Sequence, residues 1–297
     1  MKILITGGSG FLGKTIVRKF ASTEEVDTLG RSASNEVKTD LTTDKIDIIK
    51  KYDVVIHCAG KAHSDPQSEL EKKEYYEVNY LGTVRLLKSI SNNPPSQFVF
   101  ISSMAVYGLE EGIGICEIND LTGFSPYAKS KILAEVAIKH WCEQHQVRCL
   151  ILRLPLIVGE HPPGNLGKMI DGIKSKKYLS VNKGRARRSV VLSEDVANCI
   201  YDNYQKSGIY NLTDGIDASF REIEAAICEK IKSKLPIALP FWAGKILGKV
   251  GDVVPKFPVN SKMIQKMSTD LTFDDSKAVK ELVWKPRSVL AHFPSVD

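Results

Sequence analysis

Ser125-Pro126-Tyr127-Ala128-Lys129-Ser130-Lys131 sets a phenol four residues ahead of an ammonium, just past a proline suited to the first turn of a helix. At that spacing Tyr127 and Lys131 share one helix face, and the cation favours the phenolate. A free phenol ionises near pH ~10, so proton transfer at neutrality needs about 4 kcal/mol of help from its surroundings. Such a pair is suited to exchanging a proton with an alcohol or a ketone. An ordinary surface tyrosine beside a solvated lysine has the same spacing, so the surrounding elements must decide between the two readings.

Those elements begin at the start of the chain. Lys2–Thr6 is a short, β-branched apolar run that reads as a buried strand, and Lys14–Phe20 has helical spacing. Between them lies Gly7-Gly8-Ser9-Gly10-Phe11-Leu12-Gly13, with glycines at every third position. Glycines there allow a tight turn, close approach of the backbone to a pyrophosphate, and close packing of helix on strand; the helix N-terminus offers free N–H groups to phosphate. A dinucleotide is the expected ligand. The second strand runs through Val26 to Ser32, and Arg31 and Ser32 stand where an acidic side chain would bond the ribose 2′-hydroxyl of NAD. A guanidinium suits a 2′-phosphate, or stacks on adenine and tolerates NAD. These residues favour NADP(H), with NAD(H) as the alternative; Asp40 and Leu41 are expected beside the adenine ring.

Further strands are read at Asp53–His57, Gln97–Ile101 and Cys149–Arg153, with helices at Glu69–Ser91 and Tyr127–His145 between them. Alternation of this kind builds an α/β protein with a doubly wound parallel sheet and right-handed crossovers, whose ligands bind beyond the carboxyl ends of the strands. Cys58, Ala59, Gly60 and Lys61, then Ser102 and Ser103, then Leu154 and Pro155, all fall at such ends.

A chain of 297 residues is near the limit for one core, so a nucleotide domain with a smaller partner is expected. The boundaries read as 1–158, with 189–212 returning to it, and 159–188 with 213–297 as the smaller substrate-binding domain. The net charge of +6 is mild and the basic residues are scattered, which suits anionic ligands and not nucleic acid. Six cysteines without metal-ligand spacing read as small core residues of a reducing cytoplasm, and no metal site is expected. No apolar run is long enough to span a bilayer; Leu235–Val254, broken by prolines and charges, reads as a core or cap helix, or as a surface-seeking one.

Taken together, the residues resemble the extended short-chain dehydrogenase/reductase family, that is, the nucleotide-sugar epimerases, dehydratases and 4-ketoreductases on a Rossmann fold. The resemblance rests on TGGSGFLG, His57-Cys58-Ala59-Gly60, Val78-Asn79, Ser102-Ser103-Met104-Ala105-Val106-Tyr107-Gly108, the Tyr127/Lys131 pair, Leu152-Arg153-Leu154-Pro155, and Arg188 ahead of Asp195. A closing Leu282-Val283-Trp284-Lys285-Pro286 is similar to the family's tail, with Val283 where glycine is usual.

The resemblance implies roles by position. Tyr127 is the acid/base, Lys131 binds the nicotinamide ribose, and Ser103 holds the reacting sugar oxygen, with Ser102 the near alternative. Asn79 holds neighbouring strand ends. Arg188 grips a pyrophosphate, with Arg187 assisting; Asn165 meets the sugar or its diphosphate, and Lys61 and His63 line the sugar pocket. The absence of an acidic residue beside Ser103 disfavours 4,6-dehydration.

The reading that follows is NADPH-dependent 4-keto reduction of a UDP-linked 6-deoxy-N-acetylhexosamine for surface polysaccharide. The alternatives are a UDP-hexose or UDP-N-acetylhexosamine 4-epimerase with tightly held NAD, and a non-catalytic NAD(P)-binding sensor or scaffold. A homodimer is expected by analogy.

Overall fold

The computed structural model describes residues 1–43, 46–48, 50–62, 66, 68–254 and 259–295. His63, expected in the sugar pocket, lies outside the described residues. In chain order the strands are β1 (Lys2–Thr6), β2 (Glu25–Gly30), β3 (Val37–Lys38), β4 (Val54–His57), β5 (Gln97–Ser103), β6 (Gly112–Ile115), β7 (Arg148–Leu154) and β8 (Leu156–Val158). They continue with β9 (Leu179–Ser180), β10 (Arg187–Arg188), β11 (Val190–Leu192), β12 (Gly208–Asn211), β13 (Ala218–Ser219), β14 (Ile237–Ala238) and β15 (Leu271–Phe273). The helices are α1 (Phe11–Phe20), α2 (Glu69–Tyr75), α3 (Gly82–Ile90), α4 (Pro126–His145), α5 (Gly164–Lys174), α6 (Ser193–Asn203), α7 (Phe220–Lys230), α8 (Phe241–Val253), α9 (Ser261–Lys266) and α10 (Ser276–Glu281).

A seven-stranded sheet in the order β12-β7-β5-β4-β1-β2-β3 is parallel throughout. The order reverses between β1 and β4, and the sheet is the α/β, doubly wound arrangement expected from the alternation of elements. Strands covered on both faces need apolar residues at consecutive positions, and Ile3, Leu4 and Ile5 have no exposed surface. Ile3, Ile5, Val54 and Ile56 pack with Leu12, Ile16 and Phe20 of α1 and with α6 through Val196 and Ile200. Leu4, Val55, Phe98 and Phe100 turn to the other side, against Leu86 and Ile90 of α3 and Ala134, Ile138 and Trp141 of α4.

A third apolar cluster lies beyond this sheet. It joins Leu166, Met169 and Ile170 of α5 to Ile223 and Ile227 of α7 and to Val289 and Phe293 near the tail. β8 pairs with β11, and β13-β10-β15-β6 form a four-stranded sheet that brings Arg187 and Arg188 beside Leu271 and Ser219.

Three elements differ from their sequence reading. The helix expected over Glu69–Ser91 is α2 and α3 joined by a π-helical turn, Tyr76–Leu81. Leu235–Val254 divides into β14 and α8. Arg31 and Ser32 lie just past β2 rather than in it. Val283 holds φ at +54° in the turn after α10, with the Trp284 N–H bonded back to Ala278 O at 3.3 Å. A β-branched residue in the left-handed region is strained, and glycine there would not be.

Candidate active site

The loop between β1 and α1 is shaped by two contacts that leave no room for side chains. Gly7 has φ +71°, and a Cβ on it would stand 2.7 Å from Ala59 N; a Cβ on Gly13 would stand 2.1 Å from Gly7 O. The second contact seats α1 directly on the turn. Gly10 caps α1 without a side-chain acceptor, and no acidic residue occupies the first turn. The first N–H groups of α1 therefore face Ser9 and Gly10, both exposed, with a helix dipole behind them. This cradle fits the diphosphate of a dinucleotide. Phe11 is half-buried, whereas Leu12 and Gly13 are buried against the core and serve through backbone and packing.

Ser103 ends β5 and Tyr127 stands in the first turn of α4, whose N-cap Ser125 accepts from Ala128 N at 3.1 Å. The Ser103 hydroxyl accepts from Ala105 N at 3.2 Å and stands near the Tyr127 phenol, whose ionisation it favours. Burial raises the Tyr127 phenol above its usual value, and the neighbouring Ser103 hydroxyl works against it. Lys131 is only 5% exposed. Its Nζ donates to Ile101 O at 2.8 Å and lies 4.5 Å from the centre of the Phe100 ring. Burial lowers Lys131 to about 8, against the pull of Cys58 and Glu135. The Tyr75 ring meets Tyr127 edge-on at 6.0 Å, and Lys61, ion-paired with Glu74, lies over the far ring of that pair.

Two buried polar chains hold this corner. In the first, Asn79 of the π turn accepts from Lys61 N at 2.6 Å and donates to Lys61 O at 3.0 Å and Ser130 Oγ at 2.9 Å, tying the strand end after β4 to α4. Thr83 donates to Asn79 O at 2.6 Å, so its oxygen receives the Nε2–H of His57 at 2.8 Å. His57 Nδ1 then accepts from Thr6 Oγ1 at 2.6 Å, and Thr6 accepts from Ala59 N at 3.2 Å. The imidazole is a neutral tautomer with both nitrogens used, and burial, then Lys131, lowers His57 to about 3.

The second chain corrects the sequence reading of Ser102. Successive strand residues face opposite ways, so as Ser103 reaches Tyr127, Ser102 turns inward and donates to Glu135 at 2.5 Å. Glu135 pairs with Arg153 through two hydrogen bonds of 3.1 and 2.7 Å, and Arg153 donates on to the Tyr107 hydroxyl at 3.1 Å, which donates to Asn211 at 2.7 Å. Glu135 and Thr83 lie outside every motif in the sequence, and His57 entered only as the first residue of the His57-Cys58-Ala59-Gly60 turn; the part each plays shows only in the fold, as a buried polar side chain.

The remaining expected residues are placed as follows. Cys58 is half-buried after β4, pushed up to about 12 by burial, with Ala59 and Gly60 following it beside Asn79 and Lys131. Leu154 is buried and Pro155 half-buried at the end of β7. Arg31 and Ser32 are exposed; Asp40 accepts from Thr42 N at 2.9 Å within its own turn. Leu41 is turned into the core against Gly82 and does not present its side chain to a ligand. Asn165 is exposed in the first turn of α5, and Arg187 is exposed with its guanidinium on Asp217 O at 2.9 Å. Arg188 lies 5.2 Å over the Phe220 ring and donates to Thr269 O at 2.6 Å, to Arg187 O and to Lys266 O. Burial lowers Arg188, Asp270 opposing, and its bonds go to carbonyls instead of a carboxylate.

Residues 3–212 match the family model described as NAD dependent epimerase/dehydratase family. The chain is 27% identical to a UDP-glucose 4-epimerase of Vibrio cholerae, over 97% of this chain and 92% of that one. It is 25% identical to the N-acetyl-alpha-D-glucosaminyl-diphospho-ditrans,octacis-undecaprenol 4-epimerase of Escherichia coli O157:H7, over 93% and 88% of the two chains. Among solved structures, a UDP-glucose 4-epimerase of Thermus thermophilus in complex with NAD has the same fold, with a TM-score of 0.74 at 22% identity over 99% of both chains.

Proposed function

The chain belongs to the NAD-dependent epimerase/dehydratase family, and on that footing we propose that it is a 4-epimerase of diphosphate-linked hexoses or N-acetylhexosamines, UDP-linked in the first instance, with NAD as resident cofactor. The observation that carries this reading is the juxtaposition of Ser103 at the carboxyl end of β5 with Tyr127 in the first turn of α4 and buried Lys131 one turn further along. The activities of the curated relatives favour epimerisation over the single 4-keto reduction to which the sequence pointed.

When bound, NAD supplies reversible oxidation at the sugar carbon. The α1 N-terminus and Gly7–Gly13 hold its diphosphate, and the strand ends at Cys58–Gly60 and Leu154–Pro155 flank the rest. Tyr127 takes the proton of the C4 hydroxyl while Ser103 holds the same oxygen. Lys131, together with the nicotinamide's positive charge, offsets the burial that raises the phenol. Once the 4-keto sugar has turned over in the cleft and the oxidation is reversed at the opposite face of C4, Tyr127 returns the proton to the same oxygen and the C4 epimer results. Arg188, a desolvated cation without a carboxylate partner, and Arg187 hold the substrate diphosphate, with Asn165 beside them. The protein acts in the cytoplasm as a homodimer through the α3 and α4 faces, where Val84, Leu133 and Val136 are exposed.

A second reading, the NADPH-dependent 4-ketoreductase, is favoured by Arg31 and by the lack of an acid at the end of β2. One experiment separates the two. Denatured protein is analysed for released nucleotide, and fresh protein is given UDP-GlcNAc and followed by NMR. Released NAD with formation of UDP-GalNAc is expected, and Tyr127→Phe should slow it by at least ~10²-fold. NADPH oxidation on a UDP-4-keto-6-deoxy sugar, without epimerisation, would establish the second reading instead.

A further inference from the structure

α8 is amphipathic the wrong way round. Its buried residues are Gly244 and Gly248, while Trp242 is 67% exposed, Ile246 57% and Val253 80%. The glycines lie on one side of the helix, where a Cβ would come within 3.1 Å of Val181 and 3.0 Å of Ser261, so α8 lies flat on the body of the protein. Trp242, Ile246 and Val253 recur at helical spacing on the opposite side, an apolar stripe about 17 Å long. Helices that complete a core turn their large side chains inward. This one presents them to the outside, and apolar surface of that kind marks a contact.

Charge identifies the contact. Lys245 and Lys249 flank the stripe, Lys245 over the Phe241 ring at 4.6 Å. The chain leading into α8 passes a cavity of about 920 Å³ bordered by Lys174, Lys176, Lys230, Lys232 and Lys234, with Leu235 and Ile237 on its rim. None of these five lysines is ion-paired among the described residues. Nearby acids include Asp171, Glu229, Glu224, which is paired with Arg221, and Asp252, which accepts from Ser261 N at 3.0 Å. An aromatic and aliphatic stripe set among unpaired lysines has the chemistry of a surface that enters the headgroup region of an anionic bilayer.

We propose that α8 and the lysine-rich segment before it dock the protein on an anionic phospholipid membrane. α9 packs against α8 through Ile264 and ends at Lys266, whose carbonyl receives Arg188. The arginine assigned to the substrate diphosphate is therefore one helix behind the membrane face. The docked protein presents its cleft to a diphosphosugar whose other substituent is anchored in lipid, a consequence that rests on the epimerase reading; the docking itself does not.

The test is flotation of the purified full chain with phosphatidylcholine vesicles, with and without phosphatidylglycerol, alongside tryptophan emission. Trp141 and Trp284 are buried, so Trp242 dominates any vesicle-dependent change. Expected are flotation with the anionic vesicles alone, a blue shift, and at least a tenfold loss of binding in Trp242→Glu/Ile246→Glu and in Lys245→Glu/Lys249→Glu. Turnover of UDP-GlcNAc by the same variants should be unchanged, which separates a failed docking from a failed epimerase. Absence of anionic-vesicle binding, binding undiminished in the variants, or a dimer that Trp242→Glu splits would overturn the proposal.

Discussion

His57 is a histidine that the fold keeps neutral. Thr83 and Thr6 use both its nitrogens, its burial is complete, and its pKa of about 3 lies well below the ordinary value near 6.5. A base depressed on folding binds its proton only in the unfolded chain across that interval, so its contribution to stability is full above pH 6.5 and is lost as pH falls toward 3. Between pH ~7 and ~5 the protein should lose about 2 kcal/mol more stability than His57→Asn, measured by urea unfolding at each pH. Equal losses would mean that the imidazole is protonated inside the fold. At this scale the groups proposed to react were legible, because Tyr127, Lys131 and Ser103 stand in short local patterns. The sequence preferred Ser103 with Ser102 as the near alternative, and the pleat of β5 turns Ser102 away to Glu135. His57 stood only within the strand-end motif His57-Cys58-Ala59-Gly60, and nothing local marked the bonds it makes to Thr6 and Thr83.

At the scale of elements, α4 is joined to β5 and β7 by a buried ion pair, Glu135 and Arg153 being 1% and 3% exposed. Such a pair is costly to break and cheap to replace. Glu135→Ala, which leaves Arg153 charged and unpartnered, should cost about 3–5 kcal/mol of unfolding free energy, and Glu135→Leu with Arg153→Met should recover most of that loss. If the double variant is as unstable as the single, the pair contributes through Ser102 and Tyr107 and not through its charges. Elements with one local cause were legible: β1, α1 and α4 lie close to where their local patterns put them. The π turn was not legible, because its extra residue is inserted to bring Asn79 against Lys61 and Ser130, contacts made across long sequence separations. α8 escaped for the opposite reason: its pattern is regular, but the face that looks like a core face is the exposed one.

For the molecule as a whole, the bound cofactor should act as a structural ligand. The cradle of Gly7–Gly13 exists only in the folded chain, so NAD at about 100 times its dissociation constant should add about 2.7 kcal/mol to stability. Thermal unfolding of stripped protein with and without NAD measures this, and an unchanged midpoint would deny that the glycine loop binds it. The parallel sheet was legible from the alternation of strand and helix, whereas the smaller sheet was not, because β6, β10, β13 and β15 are short and drawn from distant parts of the chain. The same scattering shapes the third apolar cluster, where residues of α5 meet those of α7 and the tail across the intervening β12. In terms of descent, a gene crossover between residues 190 and 212 would leave the large sheet nearly whole yet give this cluster two unrelated halves. The two flanks are therefore expected to be inherited as one unit, and recombination with a relative between β11 and β12 should be poorly tolerated.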